Sequence, residues 1–248
     1  MVKGLDTFQK YFADYEEQYV LIGGAACDIL FESNEVNFRT TRDLDMVLIV
    51  EALTPEFGEK FWKFIVDGKY RNKATNGSNP QFYRFDKPED DNFPKMIELF
   101  CRSDFKLKDA KGITPIHIDD EVSSLSAILL NDDYYKALLN GKEVRKGLSV
   151  LRPEYIILFK AKAYLDLKRQ KDLGEKVDSS DIKKHKKDVL RIASEFILEK
   201  VEELPIAVDA DIHSFIDLLE QEPFDQNSLK RFGLKNENVV EVLKQVFG

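Results

Sequence analysis

Two aspartates separated by one leucine, Asp43-Leu44-Asp45, are the residues of this chain best placed to do chemistry. Leu44, Met46 and Leu48 alternate there with Asp43, Asp45 and Val47, so residues 43–50 are predicted to form a strand. In a strand, residues i and i+2 share a face, which sets the two carboxylates ~7 Å apart at the backbone for a rise of ~3.3 Å per residue. Like charges this close repel each other unless a cation lies between them. Magnesium suits that position, because it takes hard oxygen ligands and brings phosphates with it. Upstream, Tyr19-Val20-Leu21-Ile22 reads as a short buried strand that ends on Gly23-Gly24. A glycine pair lets the backbone turn sharply and approach a ligand. The helix predicted for Ala25 to Phe31 would then point unpaired N–H groups at a phosphate. Asp43 and Asp45 are therefore candidate metal ligands and catalytic acids, and Gly23 and Gly24 candidate phosphate contacts. Arg42 is a further phosphate candidate, although its side chain alternates with the acids. A lone glycine pair marks a turn more often than a site, and a lone Asp-x-Asp can be a solvated strand face. The combination is more specific, since the acids lie on an otherwise apolar strand directly after Arg39-Thr40-Thr41-Arg42.

GGAACDIL followed by RTTRDLDMVL resembles the signature of the nucleotidyltransferase superfamily, whose members share a glycine pair and a later Asp-x-Asp strand. The Arg-x-Thr-x-Asp-x-Asp form resembles the AbiEii/AbiGii toxin branch in particular. KMIELF, SSLSAILL and FKAKAYLDLKRQKDLGEKVDSSDIKKHKKDVLRI fit the same branch, so the resemblance spans most of residues 18–195. About eighteen residues separate Gly24 from Asp43, more than in the smallest members, which argues against a minimal form.

The resemblance implies metal-dependent transfer of a nucleotidyl group from an NTP to an acceptor, with one or two Mg2+ ions on Asp43 and Asp45. It implies tRNA as an acceptor and a toxin with a cognate antitoxin protein as partner. It also implies a third carboxylate on a later strand. Glu98 is the candidate, in the run Met96-Ile97-Glu98-Leu99-Phe100, where an acid is costly to bury unless paired or bound to metal. Its role is open between metal ligand and general base, and an edge strand with Glu98 in water is the alternative. In the family, a lysine on a helix like the one starting at Pro153 reaches the triphosphate. Lys160 matches, with Ile156, Ile157 and Tyr164 at helical neighbour positions; a snorkelling lysine is the alternative. Lys162, ~200° further around the helix, is the reserve candidate. Lys184 and Asp188 share a helix face, as nucleotide contacts or as a surface ion pair, with His185 beside them and without an assigned role. His117 and His213 lie in no ligand-like pattern. Two rival functions stand beside this one. A small-molecule nucleotidyltransferase of the aminoglycoside type would suit the acidic charge balance. A degenerate fold would only bind a nucleotide or a partner protein, and the adjacent carboxylates argue against it.

The elements that must position these residues divide the chain near residue 150. Helices are expected at 5–17, from the Thr54 cap to Val66, at 122–130 and at 133–139, and strands at 81–85 and 95–101, with loops at 71–80 and 87–94. Residues 103–120 carry no clear pattern. Beyond them come long helices at 153–172 and 181–199 and a helical tail at 204–247. The expected fold class is thus α/β (α+β), a nucleotidyltransferase-like mixed-sheet domain at 1–150 followed by an all-helical domain at 151–248. The 248 residues, 43% hydrophobic, suffice for packed cores. A net charge of −8 excludes a generic nucleic-acid binder. Yet residues 151–200 hold 13 Lys/Arg against 9 Asp/Glu, a net of +4, which leaves −12 for the rest. No apolar run nears the ~18 residues of a membrane span, and no apolar stretch precedes the acids of the N-terminus as in a signal peptide. Cys27 and Cys101 are far apart and lack ligand spacing. They read as buried free thiols of a cytoplasmic protein without membrane contact.

Overall fold

The computed structural model describes residues 3–31, 43–72, 82–101, 128–129 and 131–248. Arg42 with the residues 39–41 before it, His117 and most of the helix expected at 122–130 lie outside the described residues. The chain forms two compact units. One is a mixed α/β unit built on a sheet, and the other is entirely helical among the described residues.

Seven strands make the sheet: β1 Tyr19–Ile22, β2 Asp43–Leu48, β3 Arg71–Asn72, β4 Phe82–Asp86, β5 Met96–Cys101, β6 Lys142–Arg145 and β7 Leu148–Leu151. Their order is β3-β4-β5-β2-β1-β7-β6, with β2–β5 and β1–β7 parallel and the remaining pairs antiparallel. The inner strands β1 and β2 carry the apolar residues that place them inside the sheet. Every residue of β1 is buried, and in β2 the residues Leu44, Met46, Val47 and Leu48 are buried. Register fixes the faces, because directly paired residues lie on one side of a sheet. Tyr19, Leu48, Met46, Leu99, Ile97 and Phe85 share the first face through these pairings.

Helices α1 (Leu5–Phe12) and α3 (Pro55–Asp67) cover that first face with an aromatic cluster. Phe8 meets Tyr19 edge-on at 5.6 Å, and Phe61 meets Phe85 at 5.5 Å. Each fully buried ring contributes on the order of 1.5–3 kcal/mol by burial, with roughly 0.5–1.5 more per well-oriented pair. The Thr54 hydroxyl caps α3 by accepting from Phe57 N at 3.3 Å, and Pro55 opens the helix. The first helix stops at Phe12, short of residue 17. Its apolar stripe ends there, and a 3-10 turn at Glu16–Gln18 leads into β1.

The hairpin β6–β7 had no counterpart among the expected elements. Lys146 (φ +51°) and Gly147 (φ +67°) form its two-residue turn, with Arg145 opposite Leu148. Two consecutive positive φ angles match the twist of a tight hairpin. β7 then joins the sheet beside β1, with Leu21 opposite Val150.

The helical unit contains α4 (Asp132–Asn140), α5 (Pro153–Asp172), α6 (Ser179–Glu195), α7 (Ile206–Gln221), α8 (Gln226–Arg231) and α9 (Asn236–Phe247). So α4 packs with the helices that follow Pro153, while β6 and β7 belong to the sheet. Buried Phe159, Leu167, Val189, Ile212 and Phe215 are among its core residues. Lys162 pairs with Asp166 at 2.9 Å and with Asp211 at 3.2 Å, and the Tyr134 hydroxyl donates to Asp211 at 3.0 Å. That network ties α4, α5 and α7 together. Cys27 and Cys101 are buried free thiols. Among the described residues no helix is long and apolar enough to cross a membrane.

Candidate active site

The second face of the sheet carries the acids. Asp45 lies opposite Ile22 of β1 and opposite Glu98 of β5, and Glu98 lies opposite Arg84 of β4. Ile22, Asp45, Glu98 and Arg84 therefore form a row across four neighbouring strands at a spacing of ~4.8 Å per strand. Asp43 stands two residues along β2 on the same face, opposite Met96. Asp43 and Asp45 are partly exposed, while Leu44 and Met46 between and beyond them are fully buried. The alternation thus sends the apolar side chains into the core and the two aspartates to the second face, where they stay partly exposed.

Glu98 is 7% exposed, a depth at which a carboxylate needs partners. Arg84 supplies them: its Nε donates to Glu98 Oε1 at 2.6 Å, and its Nη2 pairs with the same oxygen. Burial pushes the Glu98 carboxyl above the usual carboxylate range. The Arg84 guanidinium opposes that shift, and the Asp43 charge adds to it. Desolvation outweighs the ion pair here, as it does for carboxylates removed from water.

Gly23 closes the site from the β1 side. Its φ is +63°, and an ideal Cβ built on it would collide with Asp45 Oδ2. The positive φ takes the chain from strand to helix without a loop, so α2 (Gly23–Phe31) starts at the glycine pair rather than at Ala25. The first N–H groups of α2 consequently begin beside the Asp45 carboxylate. Gly24 follows in the first turn and is partly exposed.

The donor set suits a hard cation. Asp43 and Asp45 offer carboxylate oxygens on one face, whereas Glu98 Oε1 is engaged by Arg84. Among the described residues no group of three His, Cys, Asp or Glu side chains is disposed to hold a metal ion. Two carboxylates are nevertheless enough for magnesium, which keeps several waters and completes its shell with substrate phosphates. Asp43 and Asp45 fit an ion that arrives with a polyphosphate.

The remaining candidates lie in the helical unit. Lys160 Nζ pairs with Asp188 Oδ2 at 3.0 Å, joining α5 to α6, and both side chains are about four-fifths buried. Lys184 lies one turn before Asp188 and is partly exposed, and His185 is buried. The structure thus brings Lys160 and Asp188 together, as it does Asp43, Asp45, Glu98 and Gly23 in the sheet unit. Lys162 serves the Tyr134–Asp211 network described above. His213 sits against the Asp209 carbonyl of its own helix at 2.9 Å. Arg84 is the site residue that sequence reasoning missed. The one local signal is a cation alternating with Phe85 on a strand, and only the β4–β5 register turns it into a partner of Glu98.

No family model and no curated protein matches the sequence. Among solved structures it is similar to the crystal structure of an antigenic nucleotidyltransferase-like protein from Paracoccidioides brasiliensis. That similarity has a TM-score of 0.44 at 13% identity and covers 97% of this chain and 93% of the other.

Proposed function

We propose that this chain is a metal-dependent nucleotidyltransferase, moving a nucleotidyl group from an NTP to an acceptor. The observation that carries the reading is the row on the second face of the sheet, with Asp43 and Asp45 side by side and Gly23 pressed against Asp45 at the start of α2. The magnesium brought with the NTP would neutralise phosphate charge and favour the departure of pyrophosphate. Asp43 and Asp45 would hold it. The amides that follow Gly23 would receive phosphate oxygens, since a helix N-terminus favours anions. Glu98, fixed by Arg84, would support Asp45 from the neighbouring strand. Participation of Lys160, Lys184, Asp188 and Arg42 in nucleotide binding rests on the resemblance to the AbiEii/AbiGii branch. So do tRNA as acceptor, a cognate antitoxin and a cytoplasmic setting.

A second reading is favoured by one observation: Arg84 already engages the third carboxylate, as suits a scaffold that binds a nucleotide without transferring it. Incubation with each α-labelled NTP, with total RNA, protein extract and aminoglycosides in parallel, separates the readings. Label should pass to one acceptor class in a magnesium-dependent way and should vanish with Asp43→Asn and Asp45→Asn. Nucleotide binding without label transfer to any of the three would establish the scaffold instead.

A further inference from the structure

We infer that the helical unit carries a second binding site, a basic cleft for the phosphodiester backbone of a nucleic acid. The cleft has a volume of about 900 Å³ and lies between the C-terminal half of α5, the N-terminal half of α6 and the segment 222–231 that includes α8. Six cations line it: Lys168 and Lys171 from α5, Lys183, Lys186 and Lys187 from α6, and Arg231 from α8. Its three acids are Asp172, Glu222 and Asp225, so the lining is formally +3 in a chain of net −8.

Two of those acids are committed locally. Glu222 accepts from Lys168 at 2.8 Å and from the Tyr164 hydroxyl at 3.2 Å. Asp225 caps α8, accepting from Asn227 N and Ser228 N at 3.1 Å each. The half-buried Lys186 is committed as well. Its Nζ lies over the rings of Tyr164 (5.6 Å) and Phe224 (5.5 Å) and donates to the carbonyls of Glu222 and Pro223, which fixes the floor. Lys171 donates to the Ser179 hydroxyl at 2.6 Å, and Lys183, Lys187 and Arg231 remain on the rim. All three are exposed, and among the described residues no carboxylate lies within ion-pair distance of them, although the Asp225 charge reaches Lys187. Lys183 and Lys187 are four apart on one helix face, a like-charge spacing that costs the helix stability. A bound polyanion offsets that cost.

The arrangement selects the ligand. Cations spread along three helices in a cleft of this size match a chain of phosphates better than one phosphate, which calls for converging donors. Five of the six are lysines, which bind phosphate as point charges without fixing one geometry, as a flexible phosphate chain requires. Tyr164 and Phe224 are buried, leaving those rings no open face on which a base could stack. Recognition would therefore be of the backbone and tolerant of sequence. The acidic remainder of the chain confines such binding to this cleft. The inference stands apart from the transferase reading, and where both hold, the bound chain is the acceptor.

Fluorescence anisotropy of a labelled mixed-sequence single-stranded RNA against the full chain tests it. Affinity should fall with salt at a log–log slope near −2, since three cations each contribute ~0.7 on single strands. Combined Lys183→Glu, Lys187→Glu and Arg231→Glu should weaken binding at least tenfold and flatten the slope. The matching Gln triple, which leaves exposed positions uncharged, keeps the test available if charge reversal disturbs folding. Asp45→Asn should bind RNA as the wild type does, so loss of transfer and loss of this site are told apart. Inorganic polyphosphate should compete, and polyglutamate of equal charge should not. Displacement by polyglutamate as readily as by polyphosphate would reassign the cleft to acidic protein. A wild type that ignores RNA at low salt, binding by inorganic polyphosphate alone, or a Gln triple with unchanged affinity would overturn the proposal.

Discussion

Gly23→Ala probes the point where the backbone and the candidate chemistry meet. The φ of +63° places the residue in the left-handed region, where a side chain costs ~1–2 kcal/mol. The new Cβ would also collide with Asp45 Oδ2, and pushing a side chain out of a packed place costs ~1–3 kcal/mol. The sum is roughly 2–5 kcal/mol, with a melting temperature lowered by ~2–4 °C per kcal/mol in a domain of this size range. Trp62 is the sole tryptophan and sits in α3 against Phe61 and Phe85, so its fluorescence follows unfolding of the sheet unit. The informative measurement is a double-mutant cycle. In an Asp45→Ala background the collision is gone, and Gly23→Ala should cost only the backbone share of ~1–2 kcal/mol. An equal cost in both backgrounds would refute the contact between Gly23 and Asp45, and with it the placement of the helix start against the acid. No cost in either would refute the positive φ.

Magnesium with NTP binds only the folded form and should stabilise it by about 2.7 kcal/mol at a hundredfold excess over Kd. Asp45→Asn should remove most of that gain in a thermal melt, and the absence of a gain with all four NTPs would count against the site. Glu98→Gln tests the buried carboxyl. Because its pKa is raised on folding, the stability it lends is present at acid pH and lost as pH climbs through the folded value. The melting temperature of Glu98→Gln relative to wild type should therefore rise from acid to neutral pH, and a pH-independent difference would contradict the assignment. Lys162→Met should cost ~1–3 kcal/mol by leaving Asp166 and Asp211 short of a cation, without touching the NTP-dependent shift. Lys160→Ala should weaken the NTP shift, and equal behaviour of the two variants would argue against a phosphate role for Lys160.

What could be read from the residues, and what could not, follows from the range of the interactions involved. β1, β2 and β5 announce themselves through local alternation or apolar runs, and α3 through its Thr54 cap and Pro55. The β6–β7 hairpin does not. Its outer strand is the polar Lys142–Arg145, its inner strand only four residues, and its parallel partner β1 lies far upstream. The Lys146-Gly147 turn is a weak signal, because a lysine rarely takes the positive φ that the turn requires. The helix start at Gly23 was hidden for a related reason. The glycine pair reads as a loop, and only its fit against Asp45 makes it the first turn of α2.

The same distinction governs the charges, and here it alters the chemistry. Spacing alone sets Asp43 and Asp45 on one face, but the pairing of β4 with β5 decides that Arg84 stands beside Glu98. Counted from sequence, the site holds three acids. Counted from structure, one of them is balanced by Arg84, and the formal charge of the row with Asp43 falls from −3 to −2. Two negative charges match one divalent cation, whereas three would leave a buried excess that only a second cation or a proton relieves. The helical unit repeats the lesson in the opposite sign. Its net positive charge is plain from composition, yet Lys160, Lys162 and Lys168 are each held by a carboxylate of the same unit. The positive charge still open to a ligand is therefore set by helix packing rather than by the count of lysines, and it falls where α6 and α8 present Lys183, Lys187 and Arg231.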